Sequence, residues 1–303
     1  MWYYVIYGFN RLIALLPLRI LYFFSDFLLF PLVYHVARYR RKVVRRNLTA
    51  SFPGKESLEI KKIEVQFYHH FCDYAVESVK LLHFSAKEMG KHLWFNGLDI
   101  VQRLYDEGRS CFMLLGHYGS WEWVSSLGIY PDKGITVGLV YRPLKNKAFD
   151  KLFFTLRSRF RVEGISNKNL LRWVAVSKRN GRQFLIGTLA DQTPTRRNIH
   201  YYTTFLNQDT PVFTGTERIA KKTNTAVLYL DVEKIKRGRY ECRFKMLSEF
   251  PNETAEFEIT EQYMRELERT ILRDPGLYLW SHKRWKFSRT QAEIDANNGH
   301  HTA

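Results

Sequence analysis

Hydrophobic and polar positions follow two regimes along this chain. Residues 2–37 are almost unbroken apolar and aromatic, with Arg11, Arg19 and Asp26 as their only formal charges. Beyond Phe52-Pro53-Gly54 a helical period takes over across residues 58–82. It sets Phe67, Phe71, Tyr74, Ala75, Ser78 and Leu82 on one stripe. From residue 110 short apolar runs at 111–115, 135–140, 183–188 and 226–231 read as strands. They alternate with amphipathic, helix-like stretches at 120–127, 146–160, 168–180 and 214–223. That alternation predicts an α/β fold, a layered and mostly parallel central sheet flanked by helices. An antiparallel strand is expected over 238–250 after the Arg237-Gly238 turn, then an amphipathic helix over 260–272.

The organisation expected is an N-terminal membrane-anchoring segment over 1–37, an α/β domain over 38–290 and a polar, disordered tail over 291–303. Residues 12–36 are long enough for a hydrocarbon core, which needs about 20 residues. Pro17 and Pro31 should bend the element, and Arg19 and Asp26, seven apart, share a helical face and could interact. A cleaved signal peptide fits poorly, because no basic start precedes a small-residue cleavage site. A membrane span and a flat interfacial helix both suit the pattern. The block from Arg38 to Arg46 that follows would hold the remainder in the cytoplasm and attract anionic headgroups.

The densest chemical signal is Gly116-His117-Tyr118-Gly119-Ser120-Trp121-Glu122. The run 111–115 reads as a buried strand that Gly116 ends, with a helix starting just after. Five residues separate His117 from Glu122, roughly 140° on one continuous helix, so there the side chains would diverge. They meet only if His117 lies in the loop and Glu122 in the first helical turn. An imidazole at a sheet mouth, one nitrogen held by a carboxylate, leaves the other free to take a hydroxyl proton. This is the Ser-His-Asp arrangement without its nucleophile, so the hydroxyl must come from substrate and no acyl-enzyme forms. The amides of Gly119 and Ser120 are the nearest oxyanion donors, with Arg142 as another candidate. Trp121 and Trp123 either line an acyl slot or pack in the core.

Other motifs fall at predicted element ends. Tyr141-Arg142-Pro143 places a guanidinium fork, suited to phosphate or carboxylate, just past a strand. Asp191-Gln192 follows another strand, and Asp191 by itself reads as a structural cap. Thr214-Gly215-Thr216-Glu217-Arg218 enters a helix, where free amides could meet an anion or a Thr could act as N-cap. The stretch from Pro275 to Lys286, which carries Arg284, is unusually dense in Trp, His and Arg. Lys and Arg total 47 against 30 Asp and Glu, a formal charge of +17 that calls for an anionic partner. Aromatic residues, 16% of the chain, gather near the N-terminus rather than in basic-aromatic repeats, which favours a membrane over nucleic acid. Cys72, Cys111 and Cys242 are widely spaced, show no metal-ligand pattern and read as reduced thiols. Neither metal nor cofactor is expected.

In this order the pieces resemble the bacterial late acyltransferases of lipid A biosynthesis, within the lysophospholipid acyltransferase-like superfamily. The likeness takes in the apolar N-terminus, Arg40-Arg41-Lys42 with Asn47-Leu48 and Phe52-Pro53, and Gly116-His117 with Glu122. It continues through Tyr141-Arg142-Pro143, Asp191-Gln192 and Trp280-Ser281-His282-Lys283-Arg284-Trp285-Lys286. The chain departs from the pattern at Ser120-Trp121, where many members carry Asn-Trp. It departs again at Phe205-Leu206-Asn207-Gln208, where members often show a Phe-Phe-Gly-like turn.

The resemblance implies an inner-membrane enzyme, catalytic domain on the cytoplasmic side. It would move an acyl chain from acyl carrier protein, or acyl-CoA, to a hydroxyl on an anionic lipid acceptor. His117 would be general base and Glu122 its orienting carboxylate, with Arg142, Asp191, Gly119, Ser120 and Arg284 at the substrate. Two rival readings stand beside it: O-acylation of an aminolipid or lysophospholipid with the same pair, and a non-catalytic adaptor that binds anionic lipid.

Overall fold

A computed structural model describes residues 2–130, 134–290 and 293; the expected tail otherwise lies outside the described residues. The apolar N-terminus forms α1 (Trp2–Leu15) and α2 (Leu18–Phe24), the latter continuing through wider π turns over Ser25–Leu29 and Pro31–Val36. Pro17 ends the first helix, as its missing N–H requires. The Lys80 ammonium donates to the freed carbonyls of Ala14 and Leu16 at 2.8 and 2.9 Å. At Pro31 the helix does not break, because the wider π turns take up the missing donor.

Residues 18–36 lie lengthwise on α4 (Ser57–Lys80), with α3 (Arg41–Ser51) beside it. Tyr22, Ser25 and Tyr34 donate to Glu77, Asp73 and Glu64 of that helix at 2.7, 2.8 and 2.9 Å. Asp26 turns to Arg237 at 2.7 and 2.8 Å rather than to Arg19. The opposite face leaves Phe23, Phe27, Leu28, Leu32 and Val36 exposed. Part of the basic block is spent inside the fold: Arg41 and Arg45 pair with Glu64.

After the short α5 (Ala86–Met89), the chain runs through β1 (Leu93–Asn96), α6 (Leu98–Asp106) and β2 (Cys111–Leu115). A 3₁₀ helix over Trp121–Ile129 leads to β3 (Thr136–Tyr141), α7 (Lys147–Arg157), β4 (Glu163–Ser166), α8 (Leu170–Arg179) and β5 (Phe184–Leu189). A hairpin of β6 (Tyr202–Phe205) and β7 (Gln208–Pro211) precedes α9 (Gly215–Thr223), β8 (Ala226–Lys236), β9 (Arg239–Ser248) and α10 (Glu258–Arg273). The seven-stranded sheet has the order β1-β9-β8-β2-β5-β3-β4. Five strands from β8 to β4 run parallel; β9 lies antiparallel to β8, and β1 follows β9. The α/β, mostly parallel sheet predicted from the pattern is therefore present. The central strands bury both faces, so Phe112, Met113, Leu185, Ile186, Val227 and Leu228 are all inaccessible to solvent.

Because five strands share one direction, their C-terminal ends open on one edge, where α/β sheets collect their chemistry. Two glycines shape that edge. A Cβ on Gly116 would stand 2.5 Å from Leu267 Cδ1 of α10, and Gly119 adopts φ +60° beside Val232 and Tyr240.

Candidate active site

In the pairing of β2 with β5, Leu115 lies opposite Leu189. Two residues beyond each stand His117 and Asp191, so strand register alone brings them face to face. His117 Nδ1 is 2.6 Å from Asp191 Oδ1, and the His117 amide donates to Oδ2 at 2.9 Å. One carboxylate thus fixes the loop and the ring together. Since Asp191 accepts at Nδ1, the lone pair sits on Nε2, which takes the Gln192 side-chain amide at 3.2 Å. The His117 side chain is 12% exposed and that of Asp191 2%, so only the imidazole reaches the opening.

Burial works to raise the Asp191 carboxyl. The nearby ring of His117, the two hydrogen bonds it gives and the charge of Arg284 outweigh that and hold it below the ordinary carboxylate range. Asp191, expected as a cap or a substrate contact, holds both the ring and the amide of His117.

Glu122 does not brace His117. Its carboxylate takes Arg157 at 2.5 and 2.8 Å and the Tyr74 hydroxyl at 3.4 Å, with the side chain 3% exposed. The reason is local. The residues after Ser120 form a 3₁₀ helix with three residues per turn, so neighbours point about 120° apart. Trp121 takes the position facing the base, its ring edge-on to His117 at 5.3 Å and stacked on Tyr74 at 3.8 Å. Glu122 is turned into the protein.

The oxyanion expectation needs a similar correction. The amide of His117 goes to Asp191, that of Tyr118 to the Gly116 carbonyl at 2.9 Å and that of Gly119 to the Leu277 carbonyl at 3.1 Å. Of the two amides expected to serve an oxyanion, that of Gly119 is thus taken within the fold. The donor next to Nε2 is Gln192, to which the sequence pattern alone assigns no role.

Arg142 follows β3, is exposed and lies on the same edge of the sheet as His117. Arg284 is fully buried and donates through Nη1 to the Pro211 carbonyl at 2.7 Å. Its Nε and Nη2 are buried without a hydrogen-bond partner among the described residues, and its charge favours ionised Asp191. The surrounding Trp-rich motif is structural. Asn47 Nδ2 donates to the carbonyls of Trp280 and His282 at 2.9 Å each, and Arg40 to that of Ser281 at 3.0 Å. The Leu279 amide, in turn, donates to the His117 carbonyl at 3.1 Å. Two motifs distant in sequence therefore clamp the catalytic loop from behind.

Trp123 is fully buried and donates to the Glu77 carbonyl, so it belongs to the core. At the entrance to α9, Glu217 occupies the first turn and accepts from the Thr260 amide at 2.8 Å, which ties α9 to α10 rather than receiving an anion. Leu206 and Asn207 both adopt positive φ as the β6–β7 turn, and Asn207 donates to the Ser51 carbonyl at 2.9 Å. The three cysteines are free and buried.

Beside Trp121 lies a shallow apolar patch formed by Phe67, His70, Phe71 and Tyr74 of α4 and by residues 277–279. Trp121 links this patch to His117.

A sheet edge carrying a carboxylate-held imidazole beside an apolar patch suits acyl transfer to a hydroxyl. Residues 1–287 match the family described as bacterial lipid A biosynthesis acyltransferase, and the chain belongs to that family. It is an acyltransferase of the lipid A class. Relatives include the lipid A biosynthesis palmitoleoyltransferase of Escherichia coli (strain K12) and a lipid A biosynthesis acyltransferase of Shigella flexneri. Each is 23% identical over 256 residues, 82% of this chain and 79% of the relative.

Proposed function

We propose that the protein transfers a fatty acyl chain from an acyl thioester to a hydroxyl of a lipid A precursor, with His117 as general base and Asp191 as its orienting carboxylate. The acceptor hydroxyl displaces the Gln192 amide from Nε2 and gives its proton to that nitrogen as its oxygen attacks the thioester carbonyl. The Gln192 amide, released, is placed to donate to the developing oxyanion. Collapse of the tetrahedral intermediate breaks the C–S bond, and the imidazolium returns the proton to the departing thiolate sulfur. Asp191 stabilises the imidazolium between the two steps. General-base action of this kind is worth about 10²–10⁴-fold in rate. The observation that carries this reading is the 2.6 Å contact at Nδ1, which leaves Nε2 facing the opening.

Donor and location follow from charge. The loops on the catalytic edge carry Arg142, Lys145, Lys147, Lys168, Arg196 and Arg197, all exposed. Such a rim suits an acidic acyl carrier protein and a phosphorylated acceptor. We place the enzyme on the cytoplasmic face of the inner membrane. The helix over 18–36 lies in the interface rather than crossing it. Its polar contacts run along charged α4, and a spanning helix would drag Glu64, Asp73 and Glu77 into hydrocarbon. Mass spectrometry of lipids from cells with and without the gene tests the assignment: loss of one acyl chain from lipid A supports it, and unchanged lipid A contradicts it.

A further inference from the structure

Arg284 is 1% exposed, and little around it answers the needs of a buried charge. Nη1 donates to the Pro211 carbonyl at 2.7 Å, and the Phe205 ring lies 5.9 Å from the guanidinium carbon. Nε and Nη2 have no hydrogen-bond partner among the described residues. Taking such a group out of water is costly, and an apolar side chain of similar volume would ordinarily pack there at lower cost. Arginine does not escape the penalty by losing its proton. What the site gains is charge, and the carboxylate that feels it is that of Asp191.

Hydrogen bonds fix the cation beside the pair. The Thr193 amide donates to His282 Nε2 at 3.1 Å and the Thr193 hydroxyl to the Arg284 carbonyl at 2.5 Å, so the segment carrying Arg284 is fastened two residues beyond Asp191. On α10, the Tyr263 hydroxyl donates at 3.0 Å to the carbonyl of Leu115, at the end of the strand that leads to His117. The titratable groups facing Asp191 are then His117, Tyr263, Tyr278, His282 and Arg284. Burial holds both phenols well above their ordinary range and pushes the His282 ring down to about 4, so these three stay neutral at physiological pH. Arg284 is the permanent cation of the group.

We propose that Arg284 is a positioning residue for the His117–Asp191 pair: its buried charge fixes Asp191 as a carboxylate and keeps the pair from taking a proton out of solvent at neutral pH, so that Nε2 is free when the acceptor hydroxyl arrives. A carboxylate 2.6 Å from an imidazole favours the protonated ring, and a base that is already protonated is idle. A fixed cation on the same carboxylate tempers that pull. Because ring and carboxylate titrate together, the effect belongs to the pair and not to either group alone. This inference rests on the reading of His117 as general base.

The test uses the full-length protein in detergent micelles, as wild type, Arg284→Met and Arg284→Lys. The His117 ring is followed across pH by its Cε1–H NMR signal, assigned by its loss in His117→Gln, which requires no turnover. Single-turnover transfer is measured over the same range. In Arg284→Met the ring titration and the base limb of the rate profile should both move up by about one pH unit. Transfer should fall about tenfold below the limb and recover above it. Arg284→Lys, which restores a cation, should bring both back toward the wild-type position. A loss of packing alone lowers transfer at every pH and moves neither midpoint. That result in folded Arg284→Met overturns the proposal, as does an Arg284→Lys protein shifted as far as Arg284→Met. If Arg284→Met does not fold, Arg284→Gln, which keeps a donor for the Pro211 carbonyl, is judged by the same criterion. A ring titration that moves while the rate profile stays would contradict the role of His117 as base and leave the charge coupling standing.

Discussion

His117 and Asp191 lie 74 residues apart in sequence and 2.6 Å apart in space, and the register of two adjacent parallel strands is what joins them. The pairing of Leu115 with Leu189 sets the geometry, and the carboxylate then holds both the ring and the amide of His117. Such a base is pre-oriented before any substrate arrives, because the constraint comes from the sheet and not from a flexible loop.

In the proposed mechanism Gln192, 3.2 Å from Nε2 of His117, leaves that nitrogen and serves the oxyanion. Gln192→Leu should lower kcat by about 10²–10³-fold, the usual cost of one oxyanion donor, with little change in acceptor KM. Steady-state transfer kinetics check this. An unaltered kcat would remove Gln192 from the reaction.

Glu122 acts through packing. Replacing it by Ala leaves the Arg157 guanidinium against a buried face without its partner and frees Trp121 from its backing. Breaking a buried pair in this way costs about 3 kcal/mol, so thermal unfolding should move down by several degrees and transfer should fall with it. In the double variant Glu122→Leu/Arg157→Met stability should return in part. A Glu122→Gln enzyme should keep the wild-type shape of its pH–rate profile. Loss of the base limb in that profile would return Glu122 to the proton-transfer chain.

Glu77 makes stability depend on pH. Burial raises its carboxyl to about 7 from an ordinary 4.5, although the hydroxyls of Tyr22 and Tyr240 both donate to it. The folded state therefore binds a proton that the unfolded state releases earlier. The associated stability is complete below about pH 4.5 and is lost as pH rises through about 7. Relative to wild type, Glu77→Gln should gain stability on going from pH 5 to pH 8, by about 3 kcal/mol at most. Melting curves at the two pH values decide it, and a difference that does not change with pH refutes it.

The interfacial placement of residues 18–36 predicts that cysteines introduced at Leu16 and Arg38, at the two ends of the helix, react with an impermeant thiol reagent from the same side of sealed vesicles. Labelling from opposite sides would establish a span.

The parallel core was legible in the sequence because its strands are buried on both faces and read as continuous apolar runs: β2 falls where predicted, β3 and β5 lie one residue further on. Among the described residues four strands escaped the pattern: β1 and β4, the edges of the large sheet, and the β6–β7 hairpin. At four residues each, and partly exposed, they carry too little apolar pattern to stand out. Within the site, His117 was visible from its place at a strand end. Its partner was not, because spacing along the chain reports local neighbours while strand pairing reports distant ones. Glu122 looked right by distance and failed by direction, since a 3₁₀ turn gave the facing position to Trp121. Arg284, expected at the substrate, is buried, and its charge favours ionised Asp191.

The central claim is that Asp191 holds His117 as the base. Single-turnover transfer by purified Asp191→Asn protein across a range of pH tests it most directly. An amide at this position can donate to Nδ1 and leave the proton on Nε2, the wrong tautomer for taking a hydroxyl proton. Transfer should fall by about 10³–10⁴-fold, with membrane binding and melting behaviour retained. Asp191→Asn protein that transfers at near the wild-type rate, with an unshifted pH profile, would contradict the account.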